Sequence, residues 1–195
     1  MRPARWFHLV FSVRYPCAGL VLRSPSRVWQ VANDCIATGD SGARVQALED
    51  RNAIIDLLTQ YGQALDYGDF DRLVDCFTDD AVRENRRPDG SVHRWEGREG
   101  TLDFASRHSH APDLCHKHLA LNPHIELRGD TADVVSYMFR FDAGDGEKSF
   151  IWGLSRYLDT MKRGADGRWR IQHRISEIED QWPGRFVLTG HQEKA

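Results

Sequence analysis

The strongest constraint on the fold is a series of strand-like segments towards the C-terminal end, joined by short turns. HLALNPHIEL ends at Gly129-Asp130, and TADVVSYMFRFDA follows directly. SFIWGLSRYLDTMKR and RWRIQHRISEIED come next, after the turn sequences AGDGE and GADG. Alternating apolar and polar side chains are typical of strands, and short turns join antiparallel neighbours. The sequence therefore predicts a sheet built largely from consecutive hairpins.

The part of the chain before these strands carries helical patterns instead. Over about residues 46–66, apolar side chains recur at spacings of three and four, which predicts a long amphipathic helix. Asp69 is a predicted N-cap for a short second helix, and residues 98–109 predict a third. AVRENRRPDGSVHRWEG, with its Pro-Asp-Gly turn, predicts a hairpin between them. Helices followed by hairpin-linked strands indicate an α+β fold.

Length and charge limit the classes of protein to consider. At 195 residues and 41% hydrophobic, the chain predicts one domain with one core. Residues 1–44 hold six arginines against two aspartates, whereas residues 45–195 hold 20 basic and 27 acidic side chains. A mildly acidic folded part argues against a nucleic-acid surface, because phosphate binding needs clustered Lys and Arg.

Residues 1–44 differ from the rest of the chain because they show neither a helical nor a strand period. Arg14 and Pro16 interrupt their apolar stretch, so it predicts neither a membrane helix of about 20 residues nor a signal peptide. We predict a poorly ordered basic N-terminal extension, which leaves open an arginine-rich leader or a misplaced translation start. The four cysteines form no CxxC pair, which favours free thiols and a cytoplasmic location.

Three polar residues inside apolar segments are candidates for an acid/base site. Asp66 ends the first helical pattern, His118 begins a strand, and Arg174 lies in the last strand. An acid in the last helical turn faces the negative end of the helix dipole, so it needs solvent, a partner or a function. Each residue also has an ordinary explanation. Asp66 could be solvated at the helix end, His118 could be a hydrogen-bonded core histidine, and Arg174 could lie on the solvent-exposed face of its strand.

The histidine-rich stretch HSHAPDLCHKH invites a metal-site interpretation. Its spacing matches neither a zinc finger nor an HExxH helix, so we expect no metal there. Strand alternation places His116, His118 and Asn122 on one face, which would suit the wall of a cavity.

The order of these motifs resembles the SnoaL-like branch of the nuclear transport factor 2-like superfamily. The matching segments are RNAIIDLLTQYGQALDYGDFDRLVDCFTDDA, WEGREGTLDFA, HLALNPHIELRGDTADVVSY and SRYLDTMKRGADGRWRIQHR. This resemblance implies a domain over residues 45–185, with residues 186–195 as a tail. The family fold is a cone-shaped roll: three N-terminal helices pack on a curved, mixed, mostly antiparallel sheet that encloses one pocket.

Within the family, the chain most resembles lyases such as lindane dehydrochlorinase, the bile-acid dehydratases and scytalone dehydratase. The resemblance implies that Asp66 orients His118, that His118 removes a proton from carbon, and that Arg174 and Tyr61 stabilise the departing group. It requires no metal and no organic cofactor. Predicted substrate-binding residues are Asn122 and the aromatic side chains Trp95, Phe104, Phe139 and Trp152.

These features together predict a cofactor-independent lyase, of the dehydratase type, for a small apolar alicyclic, polycyclic or polyketide-like substrate. One alternative is an isomerase of the ketosteroid type, which would use a carboxylate base and would not need His118. Another is a non-catalytic ligand-binding or assembly module with the same fold. The resemblance further implies a homodimer or homotrimer, with no nucleic-acid or membrane partner.

Overall fold

The computed structural model describes residues 40–143 and 149–187. The predicted extension over residues 1–39 and the tail from residue 188 onward lie outside the described residues. The first helix begins at Ser41, about five residues before the start that its apolar period predicts. Residues 41–44 are therefore helical.

Three helices and six strands make up the described structure. In chain order they are α1 (Ser41–Tyr67), α2 (Phe70–Asp75), β1 (Phe77–Arg86), β2 (Val92–Glu96), α3 (Gly97–Ser106), β3 (His116–Arg128), β4 (Thr131–Asp142), β5 (Phe150–Arg163) and β6 (Trp169–Val187). Asp69 caps α2 as predicted, since its carboxylate accepts a hydrogen bond of 3.2 Å from the Arg72 amide. The predicted hairpin of β1 and β2 is also present.

The six strands form one sheet in the order β2-β1-β6-β5-β4-β3. Only the β1–β6 pair is parallel, and the other four pairs are antiparallel. Register shifts interrupt β3–β4, β4–β5 and β5–β6. Such bulges bend and twist strands, so they account for a sheet that curves around the helices. The α+β class, with three helices on a curved, mixed and mostly antiparallel sheet, is confirmed.

The core lies between α1 and the concave face of the sheet. From α1 it receives Ile54, Leu57, Leu58 and Leu65, and from β5 and β6 it receives Met161 and Ile171. Leu48 and Ile55, which follow the same helical period, are exposed instead. Burial of each such side chain contributes about 1.5–3 kcal/mol. None of α1–α3 combines the length and apolarity needed to cross a membrane.

Close contacts with the sheet position both halves of α1. Near its start, the buried Asp50 accepts hydrogen bonds from Trp169 Nε1 (3.0 Å) and Arg163 Nη2 (2.7 Å). Near its end, a Cβ at Gly62 would lie 2.9 Å from the carbonyl oxygen of His118. Only glycine permits this approach without displacing the backbone, so Gly62 lets the last turn of α1 lie directly against β3.

Candidate active site

Asp66 and His118 form a buried pair where α1 meets β3. Asp66 is 3% exposed, and its Oδ1 accepts a 2.6 Å hydrogen bond from His118 Nδ1. The backbone N–H of His118 donates to Oδ2 at 3.0 Å. These two donors supply the partners that an acid at the negative end of a helix needs. Because the carboxylate can only accept, Nδ1 carries the proton in neutral His118, and Nε2 is left as the basic nitrogen.

Electrostatics keep this imidazole neutral near pH 7. Burial is the main cause that lowers the pKa of His118 below 6.5, and the positive charges of Arg140 and Arg83 lower it further. The hydrogen bond and negative charge of Asp66 act in the opposite direction without outweighing burial. His118 is therefore set up to accept a proton rather than to donate one.

His118 lines a cavity of about 320 Å³ between the helices and the sheet. One part of the wall is apolar, with Leu65, Phe104, Met138 and Trp152. The polar part includes Arg83, His108, Arg140, Ser155, Tyr157 and Ser176. A second hollow of about 430 Å³, lined mainly by charged residues, contains neither Asp66 nor His118. The chemistry of the dyad therefore faces the first cavity.

Two of the five predicted substrate-binding residues, Phe104 and Trp152, line this cavity. The other three are absent from the lining that the described residues form. Trp95 packs edge-on against the Phe104 ring at 5.3 Å and donates to Asp103. Phe139 alternates with the lining residues Met138 and Arg140 on β4, so it faces away from the cavity. Asn122 is exposed at the β3 bulge, with φ of 51°.

A polar residue on this strand pattern would be expected either in solvent or in the cavity lining. Arg174 is in neither place. It is fully buried, and its Nε and Nη2 each donate to Asp159 at 2.7 Å. Its guanidinium carbon lies 4.1 Å and 4.0 Å from the ring centroids of Tyr61 and Tyr157. Burial alone would lower the pKa of Arg174, but the Asp159 carboxylate raises it, so the charge persists. This packing keeps Arg174 out of the cavity lining that the described residues form, and its role in stabilising the departing group stays a prediction.

Tyr61 is likewise packed behind the cavity rather than in its wall. It is 1% exposed, and its hydroxyl accepts a 2.7 Å hydrogen bond from Arg83 Nη1. Arg83 does line the cavity, so Tyr61 contacts the site only indirectly, by holding that guanidinium.

Sequence reasoning missed five cationic or basic groups in the cavity lining: Arg83, Arg87, Arg107, His108 and Arg140. Arg83 lies on the predicted hairpin, whose sequence holds several arginines and gives no sign that this one is buried. Arg140 interrupts the aromatic alternation of β4 between Phe139 and Phe141, and that interruption is the one signal that pointed inward.

His108, His116 and His118 form a compact cluster beside the cavity. Their ring centroids are 5.0–5.1 Å apart, and one nitrogen from each lies within 4.8 Å of the others. Neither ring nitrogen of the buried His116 makes a hydrogen bond within the described residues, although Nε2 lies 3.4 Å from Asp66 Oδ1. Tetrahedral zinc holds its nitrogens about 3.3 Å apart, given Zn–N bonds of about 2.0–2.1 Å. These histidines are thus the described residues best placed to hold a metal, although the rings would have to move closer together.

The buried histidines predict a loss of stability in mild acid. Burial lowers the pKa of His108 from 6.5 to about 3 and that of His116 from 6.5 to about 4. Below about pH 6.5 the unfolded chain therefore binds protons that the folded chain refuses, so the free energy of unfolding falls by up to about 1.4 kcal/mol per pH unit for each histidine. Urea denaturation between about pH 7 and pH 5, above the range of ordinary carboxylates, measures this slope.

The control for this slope is a matched pair of histidine variants. His116→Leu should flatten the dependence on pH, whereas His124→Leu, at an exposed position, should leave it unchanged. Equal slopes in the two variants would show that the acid sensitivity comes from elsewhere.

Residues 46–175 match the SnoaL-like domain family. No curated protein matches the chain significantly. Among solved structures, a protein of unknown function from Mycobacterium tuberculosis is 26% identical, with a TM-score of 0.62 over 72% of this chain and 78% of that one.

Two further solved structures come from the genus Novosphingobium. An NTF2-like protein with a cystatin-like fold from Novosphingobium aromaticivorans is 24% identical, with a TM-score of 0.62 over 73% of this chain and 90% of that one. Hexachlorocyclohexane dehydrochlorinase LinA-type3 from Novosphingobium barchaimii is 22% identical, with a TM-score of 0.58 over 74% of this chain and 96% of that one. At these identities the likeness concerns the fold.

Proposed function

Because the chain belongs to the SnoaL-like family, we propose that it is a cofactor-independent lyase that eliminates water or another small leaving group from a cyclic substrate. The observation that carries this proposal is the Asp66–His118 hydrogen bond of 2.6 Å at the wall of an unfilled cavity. A carboxylate that holds an imidazole in one tautomer, with the second nitrogen free, is a general-base arrangement.

The proposed reaction begins with proton abstraction. His118 Nε2 takes a proton from a carbon adjacent to the one that carries the leaving group. The electron pair of that C–H bond forms the new double bond, and the bond to the leaving group breaks. When the leaving group is a hydroxyl, the imidazolium donates its proton to the departing oxygen, so the products are an alkene and water. When it is chloride, the imidazolium releases the proton to solvent, so the products are an alkene, chloride and a proton. His118 is neutral again in both cases. Asp66 stabilises the imidazolium between these steps.

The apolar part of the wall supports this proposal because it excludes water from the developing charges. A general base contributes about 10²–10⁴-fold to the rate, so the remainder of the acceleration depends on such surroundings. Leu65, Phe104, Met138 and Trp152 suit a small ring system. The dehydrochlorinase with this fold acts, as its name states, on hexachlorocyclohexane, a cyclic substrate that loses a leaving group.

The same geometry weighs against the two alternatives. In an isomerase of the ketosteroid type Asp66 itself would be the base, but both of its oxygens accept hydrogen bonds from His118. A purely structural module has no need of an open cavity, and this cavity retains about 320 Å³. The homodimer or homotrimer stays a prediction, for which exposed Leu119, Leu121, Val135 and Tyr137 on β3 and β4 offer a contact surface.

The test is a substrate screen with mass detection. Wild-type protein is incubated with cyclic alcohols related to steroids, terpenoids and polyketides, and with hexachlorocyclohexane. An elimination appears as a product lighter by the mass of water or HCl, and His118→Gln should not form it. A product of unchanged mass with a shifted double bond would identify an isomerase instead, and full activity of His118→Gln would contradict the proposed base.

A further inference from the structure

Arg83 is a buried cation in the cavity wall that has no acidic partner among the described residues. It is 5% exposed, yet none of the ion pairs between described residues includes it. Nη1 donates to the Tyr61 hydroxyl at 2.7 Å, Nη2 to Ser176 Oγ at 3.4 Å, and Nε has no partner. A buried charge costs several kcal/mol unless a counter-charge compensates it. This guanidinium therefore lacks a counter-charge and part of its hydrogen bonds among the described residues.

Two other arginines of the lining have the acidic partner that Arg83 lacks. Arg140 makes a two-pronged contact with Asp142, at 2.6 Å and 3.0 Å. Arg107 pairs with Asp103. Arg87 has no ion pair among the described residues either, but it is only half-buried and lies 2.8 Å from the exposed His93 Nδ1. No aspartate or glutamate is among the described residues that line the cavity. The cavity is consequently positive, and Arg83 is the buried one of its two arginines without an acidic partner among the described residues.

The surroundings of Arg83 hold its guanidinium in one orientation. Its central carbon lies 3.7 Å from the centroid of the Phe104 ring, so the cation rests on an aromatic face. The Tyr61 hydroxyl, which accepts a hydrogen bond from Nη1, fixes the position of that nitrogen. A planar guanidinium held in this way is preorganised for the two oxygens of a carboxylate.

We propose that Arg83 is an anion-binding subsite, and that the substrate joins an apolar ring to a carboxylate or a similar oxyanion. This inference rests on the proposed function, since it places the substrate of the lyase between Arg83 and His118. The apolar wall formed by Leu65, Met138 and Trp152 receives the ring, while Arg83 binds the acidic group. The predicted apolar substrate is thereby refined to an amphiphilic one.

The charge of Arg83 also bears on the reaction. It acts on His118 through space, as one of the positive charges that lower the pKa of this imidazole. When the bound acid lies next to the carbon that loses its proton, the negative charge that develops on the acid's oxygens is stabilised by Arg83. Substrate selection and stabilisation of the transition state would then depend on the same side chain.

The test compares matched acids and neutral amides in a binding experiment that requires no turnover. Benzoate and naphthoate, each beside its carboxamide, are titrated into the full chain by calorimetry and in thermal-shift assays. At least one acid should bind about tenfold or more tightly than its amide, as a charge-assisted hydrogen bond would give. Arg83→Gln should abolish this preference, and Arg83→Lys should retain part of it.

Arg128→Gln is the control, because it removes an exposed positive charge that is paired with Glu126 and Asp133 outside the cavity lining. It should keep the full preference for acids. The proposal is overturned if no acid is preferred over its amide by the wild type, or if Arg83→Gln keeps the preference. Should Arg83→Gln fail to fold, the wild-type comparison and Arg83→Lys decide. His118→Gln should bind the acids normally, so loss of catalysis with retained acid preference separates the two proposals.

Discussion

Asp66→Asn should fold like the wild type and lose turnover by about 10²–10⁴-fold in kcat. The amide oxygen of asparagine can replace one carboxylate oxygen as an acceptor, but it carries no charge to stabilise the imidazolium. The amide nitrogen can also donate to His118 Nδ1, which would select the tautomer that lacks a free base at Nε2. We therefore expect the largest effect on catalysis from Asp66→Asn, although it replaces only one carboxylate oxygen by nitrogen.

Asp56→Asn is the matched control, since Asp56 is exposed on the same helix. It should leave kcat and the melting temperature unchanged. The pH profile gives a second measure: the wild-type rate should fall in acid through the lowered pKa of His118, because only the neutral imidazole accepts a proton. Unchanged kinetics in Asp66→Asn would remove Asp66 from the mechanism.

Asp66 and His118 could be predicted because local sequence patterns fix their positions. A helical period that stops after residue 66 places an acid at a helix end, and a strand that begins near residue 116 places His118 near its start. The family resemblance then supplied the pairing of the two. The cap of α2 and the hairpin of β1 and β2 were predictable for the same local reason, since each depends on residues adjacent in the chain.

The positions of Arg83 and Arg174 could not be predicted, because they depend on pairing between distant strands. β1 pairs in parallel with β6, and this register sets Arg83 directly beside Arg174. A sequence pattern shows which residues share a face, but not which strand lies next to them or which side of the sheet the helices cover. Both arginines therefore resemble surface residues in the sequence, and both are buried in the structure.

Arg174→Met should reduce the free energy of unfolding by about 3–5 kcal/mol, the largest stability effect we expect from a single substitution. Arg174 and Asp159 are directly opposite each other on β6 and β5, and neither side chain is exposed. Removing the guanidinium leaves the Asp159 carboxylate charged and buried without a partner. It also takes a cation from between the rings of Tyr61 and Tyr157.

The double variant Arg174→Met with Asp159→Leu distinguishes this cause from simple loss of packing. With both charges gone, no unpaired group is left, so the double variant should be more stable than Arg174→Met and should approach the wild type. Arg156→Met is the surface control, because Arg156 pairs with the half-exposed Glu177 and should cost less than about 1 kcal/mol. Urea denaturation of the four proteins measures these differences. If the double variant is as unstable as Arg174→Met, packing around the two tyrosines, rather than the buried charge pair, determines the loss.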